Sequence, residues 1–190
     1  ALDLPFAIAH FDHGTREGGS AQDAAFVRAL AEECGAPYYE ERRDIPKAAR
    51  NSPDSFEEVA RDARYAFLLD TAAVNGYAAL ATGHHAGDQV ETVLMRLLRG
   101  AAPGGLCGIP PVRQADDVRI IRPLIDCTRG EIRGYLDAIG AACREDETNR
   151  DTRHPRNRIR HELLPLLKRD FNPRVDRAIL RMADVLRDED

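Results

Sequence analysis

The sequence predicts an α/β protein: a mostly parallel, Rossmann-like sheet with helices on both faces, ending in a helical segment. Three observations support this. Short apolar runs alternate with longer segments of helical period, which is the signature of β–α–β units. Each helical segment is bounded by capping or stop residues. Polar and ionisable residues gather where an apolar run gives way to a helix, and parallel sheets place their ligands beyond the carboxyl ends of strands.

The elements follow in order. PFAIAHF (5–11) reads as a buried strand. SAQDAAFVRALAEECG (20–35) reads as a helix with Ser20 at its N-cap, a stripe of Phe26, Val27, Leu30 and Cys34, and Gly35 as the stop. PYYEERRDI (37–45) is a weaker strand. A long helix is expected over 53–75, capped by Ser52, with Pro53 in its first turn and Val59, Ala63, Ala66, Phe67 and Val74 facing inward. YAALATG (77–83) is the next strand. The following helix carries Val90, Val93, Leu94, Leu97 and Leu98 at i, i+3, i+4, i+7 and i+8, and Gly100 ends it. AAPGGLCGIPP (101–111) is a loop and VRIIRPLI (118–125) a strand. Thr128 and Glu131 form a capping-box pattern opening a helix to Ile139, with Gly140 beyond it. A polar loop (144–157) leads into a last helical region that Pro165 and Pro173 should kink or divide. We expect a catalytic domain over 1–170 and a helical extension or linker over 171–190.

Composition narrows the class. At 43% apolar residues the chain of 190 can build a real core. No apolar run approaches the ~20 residues that span a bilayer. The start, ALDLPFAIAHFDH, lacks the basic end and long apolar run of a signal peptide. The expectation is a cytoplasmic protein that does not engage a membrane. Cys34, Cys107, Cys127 and Cys143 are scattered without a CxxC pair, so they read as reduced and mostly buried thiols rather than a disulfide framework, zinc site or cluster.

The net charge of −5 hides a basic cluster. Arg150 to His161 holds five arginines and two histidines against Asp151. Arg96, Arg99, Arg113, Arg119 and Arg122 add positive charge in mid-chain. Such a face attracts phosphate even on an acidic protein, because screening confines charge effects to ~8 Å in cells.

The densest polar group is GHHAGDQVET. Asp88 and Glu91 lie one helical turn apart at the start of a helix and face the same side. Two readings stand. The pair could hold a hard cation or take a proton from a nucleophile, or Asp88 could simply help cap the helix. His84 and His85, adjacent at a strand end, favour chemistry. FDHGTR (11–16) is a second strand end, where Gly14 lets backbone approach a ligand. Arg61 and Arg64 share a helix face, either solvated or functional. DETNRDTRHPRNRIRH (146–161) sets Asn149, Asn157 and Arg160 among arginines suited to bidentate phosphate contacts.

FDHGTR, GHHAGDQVETVLMRLLRG, IIRPLID and REDETNRDTRHPRNRIRHELLPLL together, in that chain order, resemble the bacterial tRNA(Ile)-lysidine synthetases of the PP-loop, or N-type ATP pyrophosphatase, superfamily. The likeness covers nearly all of 1–175. It implies an adenine nucleotide alpha hydrolase-like fold, ATP and Mg²⁺ as cofactors, and free L-lysine and CAU-anticodon tRNA(Ile) as substrates. It also suggests a homodimer. In that family ATP adenylates C2 of wobble cytidine 34, and the lysine ε-amine then displaces AMP. By resemblance, Asp88 and Glu91 orient the lysine, Asp88 also meets the metal, and Asn149 and Arg160 lie near the reacting groups. His10, His13, Gly83 and His84 fall to ATP. His85, Arg61, Arg64 and Asn157 fall to substrate, and Arg113, Arg153 and Arg156 to tRNA.

Two departures accompany the likeness. Gly87 stands where the family usually has a first aspartate before Asp88. The SGGxDS loop that cradles pyrophosphate is not in the sequence, and we expect it to lie upstream of residue 1. The alternatives are a catalytically degenerate, tRNA-binding member of the superfamily and a metal hydrolase using His84, His85, Asp88 and Glu91.

Overall fold

A computed structural model describes residues 4–15, 19–144, 152 and 154–188. Asn149 and Arg153 lie outside these residues. The element order is β1 (Ile8–Asp12), α1 (Gly19–Glu33), β2 (Tyr38–Arg42), α2 (Ile45–Arg50), α3 (Phe56–Val74), β3 (Ala79–Ala81), α4 (Ala86–Leu98), a 3₁₀ turn (Pro103–Leu106), β4 (Val112–Ala115), β5 (Val118–Ile121), α5 (Arg129–Ala138), α6 (Pro155–Arg158), a π-helical turn (Ile159–Leu163), α7 (Leu164–Asp170) and α8 (Val175–Asp188). The α/β class with a parallel sheet and a helical end is what the sequence predicts.

The chain divides into two compact units: Ala1–Leu80 with Gln114–Ile120, and Ala81–Arg113 with Ile121–Asp190. In the first, β1 and β2 pair in parallel, with Ile8 opposite Tyr38 and Asp12 opposite Arg42. A core of Phe11, Ile45 and Phe67 packs with Tyr39, Val59 and Leu68. In the second, Val90 and Leu94 of α4 pack on Ile159 and Leu164, with Val175, Ile179 and Leu180 of α8 against them. The three-stranded order is β3-β5-β4. Arg119 N donates to Ala78 O and Thr82 N to Ile121 O, which is the parallel pattern between β3 and β5. Asp116, at φ 49°, turns β4 back into β5.

Local chemistry moves several boundaries. The long helix begins at Phe56, not Pro53, because Ser55 and Glu58 form a full capping box, while Ser52 hydrogen-bonds Asp54 before the helix. The second strand ends at Arg42, because Asp44 caps a short helix whose first residues are Ile45 and Pro46. Neither α2 nor β4 is foreseen from the sequence: one is six residues long and the other four, mostly exposed. In α1 the buried positions are Ala24 and Ala31, with Leu30 and Cys34 exposed, so the inward stripe is rotated from the expected one. Val74, expected inside, is 85% exposed at the last turn of α3. Leu97 and Leu98 are likewise exposed, whereas Val90, Val93 and Leu94 are buried. The cysteines are not buried: Cys34 and Cys143 are exposed and Cys107 and Cys127 intermediate. The Thr128–Glu131 capping box forms as expected. Pro165 sits in the first turn of α7, and Pro173 lies in the break before α8.

The loop after α4 is pinned to it. Gln89, buried, donates to Ile109 O and accepts from Ile109 N. Arg96 donates to the carbonyls of Gly105 and Gly108 at 2.9 and 2.8 Å. Gly108 adopts φ 73°, and a Cβ there would collide with the Gln89 amide. Gly108→Ala should therefore destabilise the protein by about 1–3 kcal/mol from strain at this backbone position, more if Gln89 loses its partners. The urea midpoint measures the loss, and a similar midpoint for Gly35→Ala, where nothing lies within 4 Å, would show that backbone strain alone accounts for it.

Candidate functional site

The polar crowd at the head of α4 is built by helix capping first. His85 is the N-cap: its Nδ1 accepts from Asp88 N, and Asp88 Oδ2 accepts from His85 N at 2.9 Å. His85, expected only as part of a chemical group, thus also serves as a local helix cap. The cap reading and the chemical reading of Asp88 are both realised, on different oxygens. Oδ2 closes the capping box, and Oδ1 accepts from Arg156 Nη2 at 2.8 Å.

One turn on, Glu91 is 2% exposed. It accepts from Arg156 Nε at 2.7 Å and from Arg160 Nε and Nη2 at 2.6 and 3.0 Å. Arg156 thus bridges both carboxylates, while Arg160 holds Glu91 in a fork. Glu91 and Asp88 keep the Arg160 guanidinium firmly charged, its hydrogen bonds to Glu91 raising its pKa against the effect of burial. The π-helical turn that carries Arg160 also buries Ile159 in the core beside α4. A single inserted residue in a helix aims side chains this way at functional sites.

The pair lines a cleft of about 640 Å³ whose walls also include Gly83, His85, Thr128, Arg129 and Lys168. His84 lies beside Thr82, its Nδ1 2.9 Å from the Thr82 hydroxyl. Asn157 is buried on α6. Arg113 is exposed on β4. Of the candidates in this unit, Asp88, Glu91, Arg156 and Arg160 form one network, and Gly83 and His85 share its cleft.

The remaining candidates occupy the other unit. His10 lies in the middle of β1 and His13 just beyond its carboxyl end. Burial, then the charge of Arg64, lowers the pKa of His13, with Asp12 opposing. Its ring meets Phe11 edge-on at 4.9 Å, and its Nδ1 is buried without a hydrogen-bond partner. Gly14 holds the following turn at φ 64°, donating its N–H to Asp12 Oδ1 at 2.8 Å; a Cβ there would press on Arg43 O at 2.8 Å. Arg64 is half-buried and Arg61 exposed, and both guanidiniums lie against Tyr65 at 5.6 and 5.4 Å from the ring centroid. Burial lowers the Arg64 pKa without discharging a guanidinium. Among the described residues no three His, Cys, Asp or Glu side chains are grouped to hold a metal ion.

Sequence reasoning named Arg156 and Arg160 among the candidates but not their pairing with the acidic pair. The signal was Arg156 and Arg160 four apart, the spacing that puts both on one helix face.

With this geometry described, comparison with known proteins gives the class. A family model described as the PP-loop domain matches residues 2–167, and the chain belongs to that family. Among curated relatives it is 41% identical over its whole length to a tRNA(Ile)-lysidine synthase of Geobacter sulfurreducens and 44% identical to one of Symbiobacterium thermophilum, covering 40% and 39% of those proteins. It is 42% identical over 96% of its length to one of Thermus thermophilus, covering 34% of it. The chain thus spans less than half the length of these relatives. A solved structure, the U34-tRNA thiolase NcsA from Methanococcus maripaludis with its [4Fe-4S] cluster, superposes with a TM-score of 0.67 at 18% identity, over 95% of this chain and 62% of that one. That likeness concerns the fold. No described helix is long and apolar enough to cross a membrane.

Three outcomes test the geometry. Glu91→Ala removes three charge-assisted hydrogen bonds from a buried position and should cost about 3 kcal/mol in urea denaturation. Arg42→Ala, whose guanidinium is mostly exposed 3.4 Å from Asp12, should cost under ~1 kcal/mol. His13 has a folded pKa below its unfolded value of ~6.5, so the unfolded chain binds its proton first. Its contribution is complete above pH ~6.5 and is lost on acidification. His13→Gln should flatten the fall in urea midpoint between pH 7.5 and 5.5, measured beside the unsubstituted protein.

Proposed function

We propose that this chain is the catalytic part of an ATP-dependent tRNA(Ile)-lysidine synthetase, a ligase forming a carbon–nitrogen bond at C2 of cytidine 34 in CAU-anticodon tRNA(Ile). One observation carries the reading: two carboxylates on successive turns at the start of α4 hold a cationic nitrogen group between them at 2.7 and 2.8 Å. A seat that accepts a guanidinium in this way also suits the ε-ammonium of free L-lysine. The 41–44% identity to curated synthases along the whole chain supports the same substrate class.

The chemistry runs in two steps. The cytidine C2 oxygen attacks the α-phosphorus of ATP and pyrophosphate leaves. The lysine Nε, having lost a proton, then attacks C2, the C2–O bond breaks, and AMP departs. Asp88, with one oxygen fixed by the cap and the other free to exchange partners, orients the ammonium and receives its proton. Glu91, buried and doubly held, sets the negative field that draws the amine in. Arg160 offsets charge on the departing phosphate from a fixed position. For the nucleotide, the unpaired Nδ1 of His13 and the tight glycine turn at Gly14 offer groups that fit an adenine nucleotide. Arg64 belongs to the same unit as a substrate-side cation. Gly83 and His84 serve ATP from the loop before α4. Mg²⁺ binds through few protein carboxylates together with substrate phosphates. Asp88 is the residue that would hold it, and the ion would supply charge neutralisation on those phosphates. Asn149 and Arg153 complete the set by resemblance, and Arg113 and Arg156 meet the RNA. An RNA substrate of this kind places the protein in the cytoplasm.

A second reading draws on the same network. The seat is filled by the chain's own Arg156, as it would be in a scaffold kept for RNA binding whose chemistry is lost. The protein from the complete reading frame separates the two. With unmodified CAU-anticodon tRNA(Ile), Mg-ATP and labelled lysine, transfer is expected, and Asp88→Ala should reduce it at least ~10²-fold while circular dichroism shows an intact fold. Transfer near the unsubstituted rate would remove the role given to Asp88. RNA binding without any transfer would favour the scaffold.

A further inference from the structure

Several arginines of the second unit are ion-paired among the described residues. Arg156 and Arg160 hold Asp88 and Glu91, Arg187 holds Asp184, Arg158 holds Glu162 and Arg169 holds Asp170. Arg174, Arg177 and Arg181 differ. All three are exposed, and none has a carboxylate within ion-pair distance among the described residues. Arg177 acts on Glu131 only as a charge through space. Their spacing of three and four residues puts them on one face at and beyond the start of α8.

That face lines a polar cleft of about 550 Å³ with Asn172, Leu180 and Asp184. Arg177 and Leu180 also line the cleft of the acidic pair, so the two hollows are contiguous. The carboxylates along both are already matched: Asp88 and Glu91 by Arg156 and Arg160, Asp176 by Lys168 at 2.6 Å, and Asp184 by Arg187 at 3.2 Å. Arg174, Arg177 and Arg181 thus line this hollow with no described carboxylate in ion-pair distance.

Resting on the reading above, we propose that Arg174, Arg177 and Arg181 form a phosphodiester track that carries the RNA backbone toward the acidic pair. The arginines span roughly 10 Å along the helix at ~1.5 Å per residue. A single small anion covers one of them. A strand advancing ~3.4 Å per nucleotide presents several phosphates over that length. The contacts are to backbone, so they position the RNA without reading its sequence. The alternative source of phosphate is ATP, and the measurement separates them.

The experiment uses the protein from the complete reading frame and the triple variant Arg174→Gln, Arg177→Gln and Arg181→Gln, with Arg28→Gln as control, because Arg28 is paired to Glu40 in the other unit. Binding of unmodified CAU-anticodon tRNA(Ile) and of an unrelated tRNA is followed against salt. The triple variant should lose at least tenfold in affinity for both RNAs at low salt. Its log–log salt slope should shrink by about 2, at ~0.7 to 0.9 per lost phosphate contact. In lysine transfer the loss should fall on KM for tRNA, not on KM for ATP. Replacement of all three by lysine should restore most of the slope. An unchanged slope overturns the proposal, as does a rise in KM confined to ATP. If the unsubstituted protein transfers no lysine to any RNA, the functional reading fails, and the salt slopes still decide the track.

Discussion

The four-residue network of Asp88, Glu91, Arg156 and Arg160 is the constraint on which the second unit depends. Glu91 is almost fully buried, and an isolated carboxylate in such a place would cost several kcal/mol in lost hydration. It is tolerated because two guanidiniums supply three hydrogen bonds to its two oxygens. Those guanidiniums come from residues 65 and 69 positions further along the chain. The acidic turn therefore cannot be satisfied until the segment holding α6 and the π turn has docked on α4. Ile159 and Leu164, packed on Val90 and Leu94, make that docking apolar as well as ionic. One segment supplies both the core and the counter-charge.

The same arrangement lets one site serve capping and chemistry together. Asp88 uses one oxygen for the His85 cap and the other for Arg156. The cap fixes where the carboxylate stands, and the ion pair fixes its charge. Under the proposed reading, a substrate cation arriving at this seat would trade places with a guanidinium, so the seat would not be left unpaired at any stage. Arg156 is the more exposed of the two arginines and makes one bond to each carboxylate, while Arg160 grips Glu91 by a fork. Exchange therefore falls to Arg156, and Arg160 stays. The proposed track of Arg174, Arg177 and Arg181, which have no described carboxylate in ion-pair distance, would extend this logic outward.

Elements with strong local signals were legible without coordinates. The Thr128–Glu131 box and the run of Val90, Val93 and Leu94 carry their geometry in their own spacing. The helix 53–75 was legible in extent but not in its start, since two serines three apart compete to cap it and only Ser55 has a glutamate at the third position of the helix. The α1 stripe was misplaced because small alanines, Ala24 and Ala31, are what the helix buries as it lies on β1 and β2, and composition ranks phenylalanine and leucine above them. The six-residue α2 and four-residue β4 are too short for periodicity to reveal.

For the functional residues the division is similar. The sequence by itself determined the α/β class, the family likeness and the acidic pair at a strand-to-helix junction, because these reside in order, spacing and residue type. Tertiary structure alone decided what the pair touches. Nothing in the chain's order shows that Arg156 and Arg160 return to α4 or that His85 caps it. Nor does it show that, among the described residues, no carboxylate comes within ion-pair distance of Arg174, Arg177 or Arg181. Those facts depend on long-range closure, where burial turns a modest surface attraction into a defined and costly-to-break contact.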